Sequence, residues 1–590
     1  MRQINSLQVL AAALLLVALA NGLPHEGGDS MDMNMDMDMG ASKDEAMPKP
    51  AAEDGPTSYF SYPEHVGTIF AHIILMVIAW CFILPIAVMF SVARSRYTIP
   101  TQFVFLILNG LGLFFGIVYN ASTPDLYENN AHHKIGWIVT WVVVAQFVIG
   151  LIYAYSGHGR VKNGATYERA TFLPVSNENM MEHQQSMGTV QEYRWSRDSG
   201  QGTERNTSSL QSRPSTPDGE NERFTKPEED AEESTPLAQG WLRNSVLDRF
   251  FASRIPGLVS SRVLRILRVV YIIIDRIILP FGFIAVSTGG VTYGGIFKAS
   301  GIFSGLAHFI KGGIFFWYGL VVLGRFMGCW ADFGWAWNVK PPQQVVGKSK
   351  SRVPTAEFIE SAAIFFYGST NVFLEHLGGW GGAWTATDLE HLSIAVMFFG
   401  AGLCGMLLES KRVREWLNKT VLHPYSHVAN YGQPDTNWET PGTVSINPMP
   451  ALIVFLLGIM MGAHHQESMV STMVHKQWGS LLAAGALARA CTYIFFYIKP
   501  PTSYLPSRPP SEVVGAFCLI AGGLIFMLSA SDVVDVMLYY DLDAMFTFNI
   551  VVGLTCFIMA YEILVIAIKA WAVKKESPSQ PHPPSWLPAA

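Results

Sequence analysis

The sequence predicts an all-α polytopic membrane protein with about eleven transmembrane helices, an outside amino end and a cytoplasmic carboxyl end. Half of the 590 residues are hydrophobic and only 15% are charged. The apolar residues form runs of about twenty, the length that crosses a bilayer. The net charge of −6 is small, and the basic residues lie in loops between apolar runs. The lipid bilayer is therefore the expected partner, and nucleic acid is not.

Eleven apolar runs are long enough to be spans. They cover residues 66–91, 101–120, 134–155, 265–290, 303–327, 355–376, 390–409, 448–466, 477–498, 512–530 and 545–572. Basic residues concentrate in alternate loops, which the positive-inside rule assigns to the cytoplasm. These loops contain the basic stretches 94–96, 340–352, 411–419, 499–508 and 574–575.

The amino-terminal segments predict a cleaved leader and an exposed tail. Residues 1–22 combine Arg2 with an apolar core and small residues near Ala20, as a signal peptide does. Residues 23–60 predict a disordered luminal tail, in which methionines alternate with acidic or amide residues. Thioethers suit monovalent copper. The candidate copper ligands are Met31, Met33, Met35, Met37 and Met39. The alternative is an acidic tail that binds nothing.

Two other segments are too polar to bury a core. Residues 157–262, rich in Ser, Glu, Arg and Pro, predict a disordered cytoplasmic linker that recruits protein partners. Residues 576–590 predict a disordered cytoplasmic tail. The linker divides the spans into a three-helix front module, residues 61–156, and an eight-helix rear module, residues 263–575.

Histidines at membrane depth are the first functional signal of the front module. His72 lies inside the first apolar run, and His65 lies at its mouth, seven residues away and so on the same helical face. His132 lies at the outer mouth of the third run. Ionisable side chains at this depth are costly and are usually functional.

The front module resembles the cytochrome b561 family of electron-transfer proteins. Its first span contains AHIILMVIAW followed by Pro85, and its third has His132, Gly136 and Gln146 at the family's spacing. The resemblance implies that His72 and His132 are the axial ligands of one haem b on the outer side. Two imidazoles close both axial positions of the iron, which favours electron transfer over oxygen binding.

The cytoplasmic haem of that family has no histidine ligands here. The second span has Phe105 and Asn109 where the family supplies a ligand, and the fourth span offers Asp275 and Arg276. We therefore expect no second haem and no transmembrane electron path. The alternative for the outer histidine pair is a metal ion, or hydrogen bonding alone.

Candidate metal ligands of the rear module lie at the predicted outer ends of its helices. They are His391, Asp388, His464, His465 and His475. Histidine and carboxylate ligands suit zinc, copper, iron or manganese. The alternative is a polar network or a helix cap, which Asp388 would form at the start of the seventh span.

The rear spans also contain charged residues. Glu357 and Glu360 lie near the start of the sixth span, and Arg489 lies within the ninth. Charges at this depth either pair or line a proton path, and pairing is the favoured interpretation.

From about Ser58 to Lys575 the chain resembles the fungal Ytp family of multi-span proteins, and its rear module distantly resembles the transmembrane-protein-45 group. The signal peptide predicts the secretory pathway, with the plasma membrane, vacuole or another endomembrane as the destination. Three hypotheses follow. The first is a redox or metal-handling protein with one haem b, or with copper or zinc. The others are a haem-free metal or proton transporter and a noncatalytic scaffold.

Overall fold

The computed structural model describes residues 58–156, 261–298, 301–374, 383–422, 445–463, 466 and 468–576. Every regular element in these ranges is helical. In chain order the helices are α1 (Val66–Val77), a π-helical turn (Ile78–Ile83), α2 (Leu84–Val92), α3 (Thr98–Ser122), α4 (Ala131–Ser156), α5 (Ser261–Gly294), α6 (Gly301–Met327), a 3-10 turn (Ala331–Phe333), α7 (Gln343–Ser351), α8 (Ala356–Leu374), α9 (Ala386–Glu409), α10 (Lys411–Leu422), α11 (Met449–Ala463), α12 (Met469–Ile498), α13 (Pro510–Leu528), α14 (Ser531–Tyr539) and α15 (Ala544–Glu576).

Nine helical segments within the described ranges are long and apolar enough to cross a membrane. They are α1 with α2, then α3, α4, α5, α6, α9, α12, α13 and α15. The other two predicted spans coincide with α8 and with α11, an apolar helix of 15 residues. The signal peptide, the methionine tail, nearly all of the linker and the carboxyl tail lie outside the described residues.

Large apolar side chains cover the outside of these helices. Trp141 is 63% exposed and Phe366 is 69% exposed, and many leucines and isoleucines of the other helices are similarly uncovered. A bilayer makes such surfaces favourable because lipid tails are as apolar as these side chains. The helices also satisfy their own backbone hydrogen bonds, which a spanning segment must do.

The front bundle consists of four helices, because α5 packs against α4 and completes the group formed by α1, α3 and α4. Its core contains Trp80, Phe105, Val139 and Ile278. The sequence assigned the helix that begins near residue 263 to the rear module. The long linker therefore joins two helices that are neighbours in space.

A π-helical turn interrupts the first span and ties it to the last helix. Such turns leave backbone carbonyls without their usual partner in the helix, and Pro85 follows this one at the start of α2. The hydroxyl of Tyr561, from α15, donates a hydrogen bond to the carbonyl of Phe82 in the turn. Further along, Arg96 binds Glu576 through both Nε and Nη2, at 3.0 and 3.2 Å. The front bundle thus docks on α15.

Glycines let the helices of the rear half approach closely. A Cβ atom at Gly312 of α6 would lie 2.5 Å from the carbonyl oxygen of Gly523 in α13, and one at Gly458 of α11 would lie 2.4 Å from that of Gly479 in α12. Small residues at helix contacts are typical of membrane bundles, where van der Waals packing drives association. Between these contacts, Trp478 stacks on Phe526 with ring centres 4.1 Å apart.

The described loops meet at two ends of the helices. At the first, Phe60 N donates to Tyr293 O, Tyr127 donates to Phe297 O, and Phe297 N donates to Asp532. The four helices that carry His72, His132, His308 and His475 all begin at this end; they are α1, α4, α6 and α12. We therefore call it the histidine end. The opposite end holds the loops between α1–α2 and α3, between α6 and α8, and between α12 and α13. We call it the arginine end.

We expect Gly312→Ala to destabilise the protein by about 1–3 kcal/mol, because the new methyl group overpacks a contact between two backbones. The measurement is the unfolding midpoint of the purified protein in detergent. Gly553→Ala is the matched control, since a Cβ atom at Gly553 meets nothing within 4 Å. Equal midpoints for the two variants would contradict the assigned α6–α13 contact.

Candidate functional sites at the two ends of the bundle

The two histidines assigned to the front bundle lie together at the histidine end. The rings of His72 in α1 and His132 in α4 have centres 6.3 Å apart and planes at 78°. Both side chains are partly buried. Sixty residues separate them in the chain, so only the packing of the helices brings them together.

Backbone carbonyls fix the tautomer of both rings. Nδ1 of His72 lies 2.8 Å from the oxygen of Gly112, and Nδ1 of His132 lies 3.1 Å from that of Ala285. A carbonyl can only accept, so each Nδ1 carries the proton, and the lone pair of the neutral ring is on Nε2. Metal-binding histidines in proteins are usually oriented by such a hydrogen bond to their other nitrogen.

The spacing of the rings fits one ion between them. Metal–imidazole bonds are about 2.0–2.1 Å long, and the ring centre lies roughly 1 Å beyond the nitrogen, so two rings on opposite sides of an ion have centres roughly 6 Å apart. The observed 6.3 Å is close to that value. The distance between the ring centres is thus the one expected for two ligands on opposite sides of one ion.

Glycines provide the space for both rings. A Cβ atom at Gly116 of α3 would lie 2.8 Å from Nδ1 of His72, and one at Gly289 of α5 would lie 3.0 Å from Cε1 of His132. A side chain at either position would displace a ring. His65 differs from this pair, because it is exposed and lies just before α1 with a φ of 56°.

Hydrogen-bonded side chains fill the half of the front bundle that is nearer the arginine end. Asn109 accepts a hydrogen bond from Trp80 Nε1 at 2.9 Å, and Phe105 is fully buried. Asp275 accepts from Ser91 and from Gln146, both at 2.5 Å. These partners satisfy Asn109 and Asp275, whereas Oε1 of the neighbouring Gln102 is buried and has no hydrogen-bond partner among the described residues.

The rear histidines predicted as ligands are placed only in part. His475 of α12 lies beside His308 of α6, with ring centres 6.5 Å apart. His391 interacts electrostatically with His308. Asp388 forms a capping box with Thr385. The backbone N–H of Asp388 donates to the Thr385 hydroxyl oxygen at 3.2 Å, and the Asp388 carboxylate accepts from the backbone N–H of Thr385 at 2.9 Å. This is the helix-cap role that the sequence offered as an alternative.

The other predicted metal ligands lie outside the described residues: His464, His465, Met31, Met33, Met35, Met37 and Met39. Among the residues that are described, no group of three or more His, Cys, Asp and Glu side chains is arranged to hold a metal ion. The convergence of the predicted rear ligands on one ion stays a prediction, because His464 and His465 lie outside the described residues.

At the arginine end, four helices contribute to a buried ion network. Arg325 of α6 donates to Glu360 at 2.7 Å and to Glu357 at 3.4 Å, both from α8. Arg489 of α12 lies 3.4 Å from Glu360 and 2.9 Å from Glu512 of α13. The predicted pairing of Glu360 with Arg489 is observed. Buried charges require such partners, since an isolated ion at this depth is very costly.

An aromatic ring and a hydroxyl complete the network. The guanidinium groups of Arg325 and Arg489 lie 4.2 and 4.7 Å from the ring of Trp337, within the range of cation–π attraction. Thr492 donates to Oε1 of Glu512 at 2.6 Å. The second carboxylate oxygen of Glu512 is buried and has no hydrogen-bond partner among the described residues. The network therefore retains one unsatisfied acceptor.

Sequence reasoning missed Arg325 and Glu512, and it noted His308 near the outer end of the fifth span without including it among the predicted metal ligands. Each is a lone ionisable residue within, or at the edge of, an apolar run. Burying an ionisable residue at membrane depth is costly, and this cost is the signal that could have identified them, as it identified Arg489. The sequence does not show which residues pair with them, because the pairing depends on which helices are neighbours.

The described fold is that of an integral membrane protein built from helices, with ionisable groups paired inside it. A family model described as "Protein YTP1-like, C-terminal" matches residues 281–570, and a domain of unknown function, DUF2427, matches residues 53–156. An uncharacterized membrane protein of Schizosaccharomyces pombe is 37% identical over 520 residues, which is 87% of this chain and 96% of the relative. The chain belongs to this family of YTP1-related membrane proteins.

Two proteins of Saccharomyces cerevisiae are also similar to the chain. An uncharacterized membrane protein is 43% identical over 292 residues, covering 48% of this chain and 45% of the relative. Protein YTP1 is 22% identical over 222 residues, covering 38% of this chain and 37% of the relative. The alignments with these two relatives thus span less than half of their length. No solved structure matches the chain.

We expect Arg489→Met to cost about 3–5 kcal/mol of stability, because it leaves the buried carboxylate of Glu512 without its cation. The measurement is unfolding in detergent. Lys350→Met is the control: its ion pair with Asp332 is 2.7 Å long, but the two side chains are 51% and 30% exposed, so at most about 1 kcal/mol is expected. The double variant Arg489→Met/Glu512→Met should recover part of the loss. A single-variant loss no larger than the control's would contradict the network.

Proposed function

We propose that the front bundle is a one-site electron-transfer unit, in which His72 and His132 hold a single haem b at the histidine end. The observation that carries this proposal is the matched pair of imidazoles, 6.3 Å apart, each with Nδ1 held by a backbone carbonyl. Bound between two imidazoles, a haem supplies reversible one-electron chemistry at iron.

The protein's own residues would control that chemistry. The carbonyls of Gly112 and Ala285 orient the rings and raise the basicity of the ligating nitrogens. Gly116 and Gly289 keep the space beside the rings open. The buried, partly apolar surroundings limit access of water, which influences the reduction potential.

The topology that we propose places the histidine end outside. Eleven spans with an outside amino end put the basic loops of the arginine end in the cytoplasm, as the positive-inside rule requires. The site would then exchange electrons with a donor and an acceptor on the same outer side, because hydrogen-bonded side chains replace the inner histidine pair. Metal ions collected by the methionine tail are the acceptor class that fits this side.

We expect His72→Ala and His132→Ala each to abolish the b-type signal in a dithionite-reduced minus oxidised spectrum of the purified, haem-supplemented protein. Each variant leaves the iron with at most one axial ligand from this pair. His133→Ala is the matched control, since His133 is an exposed neighbour on the same helix. A wild-type protein without b-type bands, or an unaltered signal in both variants, would exclude this function.

A second candidate function is proton transport by the rear half. The network at the arginine end sets three carboxylates against two guanidinium groups, so full ionisation would leave an uncompensated negative charge in a buried place. Such a charge is avoided when one carboxyl group retains a proton. Among the described residues, the only ion pair of Glu357 is the 3.4 Å contact with Arg325, longer than the shortest contact of Glu360 or Glu512, and this favours Glu357 as the carboxyl group that retains the proton.

This second function predicts one protonated carboxyl band in the infrared spectrum that disappears in Glu357→Gln. Proton uptake by proteoliposomes under an imposed pH gradient should fall at least tenfold in the same variant, because its amide cannot exchange the proton. Asp332→Asn, which alters an exposed pair at the same end, should retain both signals. Uptake no faster than in empty liposomes would rule out transport of protons.

A further inference from the structure

The rear half contains a second imidazole pair with the same construction as the first. His308 of α6 and His475 of α12 have ring centres 6.5 Å apart and perpendicular planes. Each Nδ1 bonds to a carbonyl one turn earlier in its own helix, that of Ser304 at 2.8 Å and that of Ser471 at 2.9 Å. Both protons are therefore on Nδ1, and both lone pairs are on Nε2.

The distance between these two rings indicates which ligand geometry they would suit. Two imidazoles in a tetrahedral site would have centres about 5 Å apart, and two on opposite sides of one ion about 6 Å. The observed 6.5 Å matches the opposed arrangement more closely. The rings reach this spacing with their tautomers already set, so binding would require little reorganisation.

Aromatic side chains enclose the pair. The ring of Phe526 lies 5.7 Å from that of His308, and Trp478 lies 5.9 Å from His475. Trp478 and Phe526 stack on each other, so the four rings form a continuous wall. The buried indole Nε1–H of Trp478 has no hydrogen-bond partner among the described residues. A water or anion at the site would satisfy it.

The number of ligands also bears on the choice of ion. Among the described residues, no group of three or more His, Cys, Asp and Glu side chains is arranged to hold a metal ion. Imidazole nitrogen binds copper and zinc, but zinc in structural sites is almost always four-coordinate. Two opposed nitrogen ligands therefore point to monovalent copper.

We propose that His308 and His475 form a transition-metal site, with monovalent copper as its best-fitting ion. Neither the haem pair of the front bundle nor the proton-binding network is part of it. The site also differs from the set of rear ligands predicted from the sequence, because it pairs His475 with His308 of α6, which that set did not include. It lies near the histidine end, where an ion from outside would enter under the proposed topology.

The test measures copper binding to the purified full-length chain under ascorbate, by competition with a coloured copper(I) chelator and by elemental analysis. The tail methionines are replaced by leucine in every sample, so that they do not compete: Met31, Met33, Met35, Met37 and Met39. We expect His308→Ala and His475→Ala each to lose one equivalent of copper and to weaken binding at least tenfold. His133→Ala should bind as the parent does, and zinc should bind more weakly.

X-ray absorption of the copper-loaded parent should show two nitrogen ligands in an opposed arrangement. Metal-free unfolding is recorded for every variant, and His308→Gln and His475→Gln replace any alanine variant that does not fold. Copper content that is equal in the parent and in both histidine variants would overturn the proposal. The haem spectrum should be unchanged in the His308 and His475 variants, so failure here is distinguishable from failure of the electron-transfer proposal.

Discussion

Every ionisable group that this chain buries at membrane depth must find its partner inside the protein. Water does not reach it there, and lipid offers no hydrogen bond. The network of Arg325, Glu357, Glu360, Arg489 and Glu512 meets this constraint by drawing on four helices. Because each member would be costly alone, the packing of α6, α8, α12 and α13 at the arginine end is linked to the pairing of these charges.

The same constraint governs the front bundle, where neutral groups do the pairing. Trp80, Asn109 and Thr140 form one chain of hydrogen bonds, and Ser91, Gln146 and Asp275 form another. The half of the bundle nearer the arginine end is therefore filled largely with side chains that bond to one another. At the histidine end, the hydrogen bonds of His72 and His132 within the described part of the chain involve only Nδ1 of each ring. Under the proposed function, that difference makes the histidine end the ligand site and the opposite half a structural region.

Hydropathy alone predicted where the helices lie, because each apolar run coincides with a helix of the described residues. Sequence resemblance predicted that His72 and His132 bind one haem; the structure places their rings 6.3 Å apart, and the haem itself stays a prediction. The rest required tertiary information. His308 is one histidine in an apolar run, and its partner is 167 residues further along the chain. Their contact arises because α6 and α12 both pack against α13. The sequence allowed Asp388 to be either a metal ligand or a helix cap, and only the hydrogen-bond distances of the capping box identify its local role.

The two ends of the rear half are connected by the same pair of helices. α6 holds His308 and Arg325, and α12 holds His475 and Arg489. The 14 residues from His475 to Arg489 span about 21 Å of helix, so the sites do not touch. A ligand that fixed the spacing of the two histidines would, however, restrain α6 relative to α12. The ion network restrains the same two helices at their other ends. Any energetic coupling between the sites must be reciprocal, so a change of charge in the network would alter ligand affinity at the histidines by the same factor.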